Sequence, residues 1–298
     1  MSDGWARIRL TLPNSFVDWV SAEVVEWGSP GVEVLDTRLE TDSSNTGQMT
    51  LDIYFPAISA EESRLKLKSF LVQLGQQVEP YTLGEPERTP DVDWAEQWRY
   101  HFPPLELGSR LLILPPWERE QDSGSRIPIL LQPGMAFGTG HHPTTALILE
   151  QLEKTISTAR QGTILDVGCG SGILSMGAVA LGAGSVLAID YDRDAVESAA
   201  SNIEMNEMAD RIQVVQAKFP ALPTSQTFDI VVANVYYTFF RMESLAVSEV
   251  MEKGSVLLAS GLRDAEGGAV VDILRSMAFS ADVVAESDGW VVIQGVKH

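Results

Sequence analysis

The chain has 298 residues, 45% of them hydrophobic and 21% charged, and its 41 acids against 21 bases give a formal net charge of −20 at pH 7. That is ordinary globular composition, long enough for one large domain and a smaller one, because single cores stop growing at roughly 250–300 residues. Nothing approaches the ~18 consecutive apolar residues of a membrane span, and the acidic field repels phosphate backbones while suiting a basic protein partner.

The single cysteine, Cys169, excludes an internal disulfide framework and any multi-cysteine zinc site. The N-terminal "MSDGWARIRLTLP" has no basic segment followed by an apolar run, so no secretory signal is expected and the expected location is the cytoplasm.

Residues 5–12, "WARIRLTL", alternate as a strand does, and "NSFVDWVSAEVVEW" puts Phe16, Val17, Val20, Val24 and Val25 on one helical face with Asn14 as N-cap. Strand-like "GVEVLDT" and "MTLDIYF", helix-like "SAEESRLKLKSFLVQLG" and extended "QVEPYTL" follow. The order β-α-β-β-α-β predicts a small ferredoxin-like α+β domain over residues 1–84. "GEPERTP" then begins a linker over 85–104 that contains a short helix, "DVDWAEQWRYHFPP", with Asp91 or Asp93 near its start and Pro103 and Pro104 at its end.

Residues 105–298 form the second domain. Two strand-like pieces, "SRLLILPPW" and "IPILLQP", flank the polar turn "EREQDSGSR". From Thr144 onward helices alternate with apolar strands: "TTALILEQLEKTIS", "TILDVG", "GILSMGAVALGA", "SVLAID", "RDAVESAASNIEMN", "IQVVQA", "FDIVVAN", "LAVSEVMEKG", "SVLLAS". Such alternation predicts an α/β, doubly wound parallel sheet. "FSADVVAES" and "GWVVIQGV" have no helix between them, so the sheet should finish in an antiparallel hairpin.

In "ILDVGCGSGIL" a strand runs into Asp166, then Gly168, Gly170 and Gly172, then a helix. The glycines let a ligand approach the backbone at the carboxyl end of a strand. Their spacing is G-x-G-x-G rather than the dinucleotide G-x-G-x-x-G, and Asp166 places negative charge where a pyrophosphate wants none but the ammonium or sulfonium of S-adenosylmethionine is welcome. The next strand ends at Asp190, placed to accept both ribose hydroxyls.

Asn234 follows the apolar run of "VVANVYYTFF" at the same sheet edge. Either its side-chain carbonyl accepts a hydrogen bond from a substrate amine, with Tyr236 or Tyr237 as a pocket wall, or it caps the helix that follows.

The loop "QPGMAFGTGHHPTT" contains adjacent histidines, His141 and His142. Metal pairs use wider spacing, and a phosphate loop needs a lysine or arginine that this segment lacks. It is read as the lid and one wall of the cofactor pocket, with Gly138 and Gly140 as flexible points, Phe137 as apolar cover, and structural histidines.

"DVDWAEQWRYHFPPLELGSRLLILPPW", "QPGMAFGTGHHPTTALILEQL", "ILDVGCGSGILSMGAVALGA", "AIDYDRDAVESAASNIEMN" and "VVANV" together make the chain resemble, over nearly its whole length, the PrmA family, the methyltransferases of protein eleven of the bacterial large ribosomal subunit. The P-G-M-A-F-G-T-G-x-H-x-T-T element is the most specific of these. The resemblance implies a ferredoxin-like substrate-recognition domain, a mobile linker and a seven-stranded, Rossmann-like class I methyltransferase domain. It implies transfer from S-adenosylmethionine to lysine side chains and the α-amino group of the ribosomal protein, with cofactor contacts on Thr145, Gly168, Asp190 and Asn234. Many members read N-I-L-A-G-P-L where this chain has Asn234 to Phe240, and Thr-His where it has His141 and His142. The expected partner is a basic ribosomal protein, without membrane or direct nucleic-acid binding, and a monomer is expected. Two rivals stand beside this reading: a NAD-dependent dehydrogenase reusing the sheet and Asp190, and a binding module that kept the fold without the transfer step.

Overall fold

The computed structural model describes residues 4–17, 20, 21, 24, 27, 29, 31–35, 47–89, 102–132, 140, 142–158, 162–222 and 226–298. The chain divides into two units, residues 1–97 and 98–298.

In the N-terminal unit the alternation of "WARIRLTLP" becomes strand β1 (Trp5–Pro13), burying Ala6, Ile8, Leu10 and Leu12 on one face. Strands β2 (Gly31–Leu35), β3 (Gln48–Pro56) and β4 (Thr82–Leu83) join it in the order β2-β3-β1-β4, every pair antiparallel, and β5 (Glu87–Arg88) also pairs with β1. Helix α1 (Ala60–Leu74) brings Leu67 and Leu71 into a core shared with Val17, Val20 and Val24, three of the residues predicted on one helical face. Val25 lies outside the described residues.

Two local readings need correction. Asn14 does not stand as an N-cap but opens a 3-10 turn over Asn14–Phe16. The extended run over 77–83 is strand only at its last two residues, because Gly75 (φ 67°) ends α1 and the chain passes through a 3-10 turn, Gly75–Val78. The helix expected in 91–104 lies outside the described residues except for residues 102–104, which are not helical.

In the second unit β6 (Leu105–Leu107) pairs antiparallel with β7 (Leu111–Leu114), and β7 pairs parallel with β8 (Ile127–Leu130). β6, at three residues, is too short to show a period. The main sheet has seven strands: β9 (Thr163–Val167), β10 (Ser185–Asp190), β11 (Ile212–Gln216), β12 (Phe228–Asn234), β13 (Met251–Arg263), β14 (Phe279–Ser287) and β15 (Trp290–Lys297), ordered β11-β10-β9-β12-β13-β15-β14. The first five are parallel, and β15 is antiparallel to both its neighbours, as the missing helix predicts.

Helices α2 (Pro143–Thr158), α3 (Ile173–Leu181) and α4 (Arg193–Met205) supply one core layer; α5 (Tyr237–Glu249) and α6 (Asp264–Ser276) supply the other. Within β9 the pleat sends Ile164 to the first layer and Leu165 and Val167 to the second.

The helix read over 245–254 is displaced. α5 begins at Tyr237, where burial of Phe240 outweighs the modest helix propensity of "YTFF", and residues from Met251 onward are already strand. α6 is absent from the sequence reading because Gly267 and Gly268 interrupt its pattern. A Cβ at Gly267 would stand 3.1 Å from Val291 Cγ2, so the glycine is what lets α6 lie close to β15.

Asn202 of α4 and Asn206, its C-cap, tie backbone together beside the sheet. Buried Asn202 accepts from the Gln132 N–H (3.0 Å) and donates to the Ser171 carbonyl (2.9 Å); Asn206 accepts from the Leu130 N–H (2.8 Å) and donates to its carbonyl (2.6 Å). Asn202→Ala removes both of its hydrogen bonds and is expected to lower stability by about 1–3 kcal/mol. Urea unfolding measures this; an unchanged midpoint refutes it.

Candidate functional site

β9, β10 and β12 end at one sheet edge, and each delivers a polar residue there. From β9 the chain enters a turn in which Gly168, Gly170 and Gly172 all have positive φ (71°, 53° and 79°). Gly172 has a second constraint: a Cβ on it would sit 3.2 Å from Ala199 Cβ of α4. The Gly168 and Cys169 N–H groups donate to the Ile189 carbonyl (2.9 and 3.0 Å), which docks the turn on β10.

Asp190 is 8% exposed at the end of β10. Its Oδ2 accepts from the Gly170 N–H and its Oδ1 from the Asp192 N–H, both at 3.0 Å. Each oxygen keeps lone-pair capacity for another donor.

Asp166, 1% exposed, points into the layer of α3. Ser175 Oγ donates to its Oδ2 (2.6 Å), while Oδ1 is buried with no hydrogen-bond partner among the described residues. Burial pushes its pKa up to about 6; the Ser175 hydrogen bond opposes this and the Asp190 charge adds to it. The carboxylate is therefore ionised at neutral pH but poorly compensated.

At the end of β12 the Asn234 amide nitrogen donates to Thr144 Oγ1 (3.1 Å) and, at the limit of hydrogen-bond distance, Thr145 Oγ1 (3.5 Å), both on α2. Thr144 Oγ1 lies 2.7 Å from His142 Nδ1. With the hydroxyl proton directed at the imidazole, the Thr144 oxygen is left to accept from the amide, which turns the Asn234 carbonyl away. That oxygen, Oδ1, is buried and has no hydrogen-bond partner among the described residues. The His142 ring in turn meets Trp290 edge-on (4.8 Å between centroids), and the Arg263 guanidinium covers Trp290 at 3.9 Å.

The edge thus gathers Asp166, Gly168, Gly170, Gly172, Asp190 and Asn234, with Thr145 buried on α2 behind Asn234. Asn234 does not cap α5, whose N-cap is Tyr236 with no side-chain cap bond. Tyr236 is 61% exposed. Gly140 packs toward Ile173 at the start of α3, where a Cβ would come within 3.2 Å of its Cδ1. Phe137, Gly138 and His141 lie outside the described residues. Sequence reasoning missed Ser175 and Thr144 as the partners of the two key side chains. Ser175 had a signal, being the one polar residue in the apolar helix "ILSMGAVAL".

A folded-state pKa near 6 against 3.8 unfolded means that ionising Asp166 opposes folding: the cost is absent below pH 3.8, grows as pH rises, and is complete above pH 6. Asp166→Asn is therefore expected to stabilise the ligand-free protein by ~1–3 kcal/mol at pH 8, with the gain shrinking toward pH 4. Thermal unfolding across that range measures it, and a pH-independent difference refutes it.

The family described as Ribosomal protein L11 methyltransferase (PrmA) matches residues 4–298. A ribosomal protein L11 methyltransferase of Geobacter sp. (strain M21) is 36% identical over 89% of this chain and 90% of its own. One from Syntrophotalea carbinolica is 32% identical over the whole of both chains. The crystal structure of ribosomal protein L11 methylase from Lactobacillus delbrueckii subsp. bulgaricus superimposes with TM-score 0.59 at 27% identity, covering 65% of this chain and 99% of that one. A match of this extent, over a sheet edge built as described, places the chain in the ribosomal protein L11 methyltransferase (PrmA) family.

Proposed function

We propose that this S-adenosylmethionine-dependent protein methyltransferase acts on lysine ε-amino and α-amino groups of the ribosomal protein, and that Asn234 positions the accepting amine. The observation that carries this is the pair of buried oxygens without hydrogen-bond partners among the described residues, Asp166 Oδ1 and Asn234 Oδ1, at one sheet edge. Buried polar atoms are nearly always hydrogen-bonded, and orphans of this kind mark places where a ligand completes the set.

The residues fit the donor. Gly168, Gly170 and Gly172 hold the turn at positive φ at this sheet edge, Asp190 retains lone pairs for two ribose hydroxyls, and the ionised Asp166 has no compensating cation among the described residues. S-adenosylmethionine, when bound, supplies a methyl group activated by its sulfonium. The chain's own contribution is alignment and exclusion of water. Asn234 Oδ1 accepts an N–H of the neutral amine and leaves the nitrogen lone pair free; an amide does this without forming the ion pair that would hold the amine protonated. A lysine amine, with pKa about 10.4 in water, sheds its proton more readily in a desolvated pocket.

The N-terminal unit supports a division of labour. Its antiparallel order β2-β3-β1-β4 is that expected of a ferredoxin-like fold, and we read it as the unit that recognises the ribosomal protein. The net charge of −20 favours a basic partner.

Asn234→Ala is expected to lower kcat for methyl transfer about 10- to 100-fold, the loss of one buried hydrogen bond in the transition state. Mass spectrometry of the ribosomal protein after incubation with S-adenosylmethionine reads both rate and modified positions; full activity of the variant overturns the role of Asn234. Affinity for the ribosomal protein should fall as salt rises from 50 to about 500 mM, and a salt-independent dissociation constant removes the electrostatic part of the reading.

A further inference from the structure

We infer that Gly261 is a positioning residue for methyl transfer: a bulge in β13 presses its bare Cα against the Val235 peptide and so sets where Asn234 stands. This rests on the reading of Asn234 as the group that aligns the amine.

β13 pairs in register with β15 up to Ala259↔Ile293 and resumes at Leu262↔Val291, so three steps on one strand oppose two on the other. The extra residue lies at Ser260–Gly261, and Gly261 adopts φ 80°, the left-handed conformation that such bulges place on glycine. Bulges re-aim a strand where a site needs it. On the side facing β12, Asn234 stands in register with Ser260, and the Val235 N–H donates to the Ser260 carbonyl (3.0 Å). The Ser260 hydroxyl is engaged with the Val291 carbonyl (2.8 Å), and Ser260 is fully buried, so this part of the bulge is anchored on both sides.

Against that anchor the Val235 peptide packs closely. A Cβ added to Gly261 would lie 2.5 Å from the Val235 carbonyl oxygen and 2.9 Å from both its carbonyl carbon and its nitrogen. These are backbone atoms, which cannot swing aside as a side-chain end does. From the other direction, a Cβ on Gly168 would meet Val235 Cγ1 at 2.9 Å. Val235 is thus held between the glycine turn of β9 and the bulge of β13, one residue after Asn234. The Asn234 carbonyl oxygen owes its position to the two glycines as much as to the threonines that hold its amide nitrogen.

The experiment compares Gly261→Ala with Gly254→Ala. Gly254 is in the same strand with φ 90° and nothing within 4 Å of its would-be Cβ, so it carries the same backbone strain without the contact. Gly261→Ala is expected to lower kcat at least tenfold while the dissociation constant of S-adenosylmethionine stays within twofold, and Gly254→Ala to keep kcat within twofold of the parent. Should Gly261→Ala not fold, Val235→Ala, which loosens the same clamp, is expected to lower kcat several-fold with unchanged cofactor affinity.

In the Asn234→Ala background, Gly261→Ala should have little further effect, since the two act through one group. Equal kcat for the two glycine variants, a kcat loss matched by lost cofactor affinity, or full additivity with Asn234→Ala overturns the inference. Wild-type activity of Asn234→Ala alone instead overturns the role of Asn234, whatever the glycine variants do.

Discussion

Parallel pairing in register is the constraint on which the rest of this structure depends. Because β9, β10 and β12 run in one direction as hydrogen-bonded neighbours, residues 166–168, 190 and 234, far apart in the chain, arrive at a single edge. The two-layer helix cover that a parallel sheet requires then decides what each polar side chain meets: α3 presents Ser175 to Asp166, and α2 presents Thr144 and Thr145 to Asn234. An antiparallel arrangement of the same strands would distribute these residues over opposite edges.

The same packing leaves two oxygens incompletely satisfied, and it does so asymmetrically. One oxygen of Asp166 is held by Ser175 and one side of the Asn234 amide by Thr144, which fixes both groups in orientation, while the opposite atoms lack partners among the described residues. Holding a group from behind and leaving its front unmatched is how a folded chain stores binding capacity at the expense of its own stability. The raised pKa of Asp166 is an expression of the same trade.

Neighbouring layers contribute constraints that no single motif contains. His142 links Thr144 to Trp290 of the last strand, and Arg263, at the end of β13, covers that tryptophan. The environment of Asn234 is consequently built from α2, β13 and β15, although its own strand is β12. Val235, the next residue in the chain, falls within that environment, so the clamp on it bears directly on the group we propose to position the amine.

The sequence by itself determined most of the architecture of the second unit. Its apolar strands and amphipathic helices were readable because burial on both faces of a parallel sheet imposes long apolar runs, and the glycine turn with its flanking acids was readable because positive φ and close approach leave few alternatives to glycine. What escaped it was whatever depended on a neighbour distant in the chain. α6 was hidden because its glycines answer to Val291, and the start of α5 because Phe240 is buried by the sheet. The choice for Asn234 between capping a helix and facing a ligand was likewise open, because only the threonines of α2 and the backbone pressing through Gly261 decide which way its carbonyl points. Local propensity and periodicity are properties of consecutive residues; orientation of a polar atom is set by whatever packs against it, and only the tertiary structure brings those groups together.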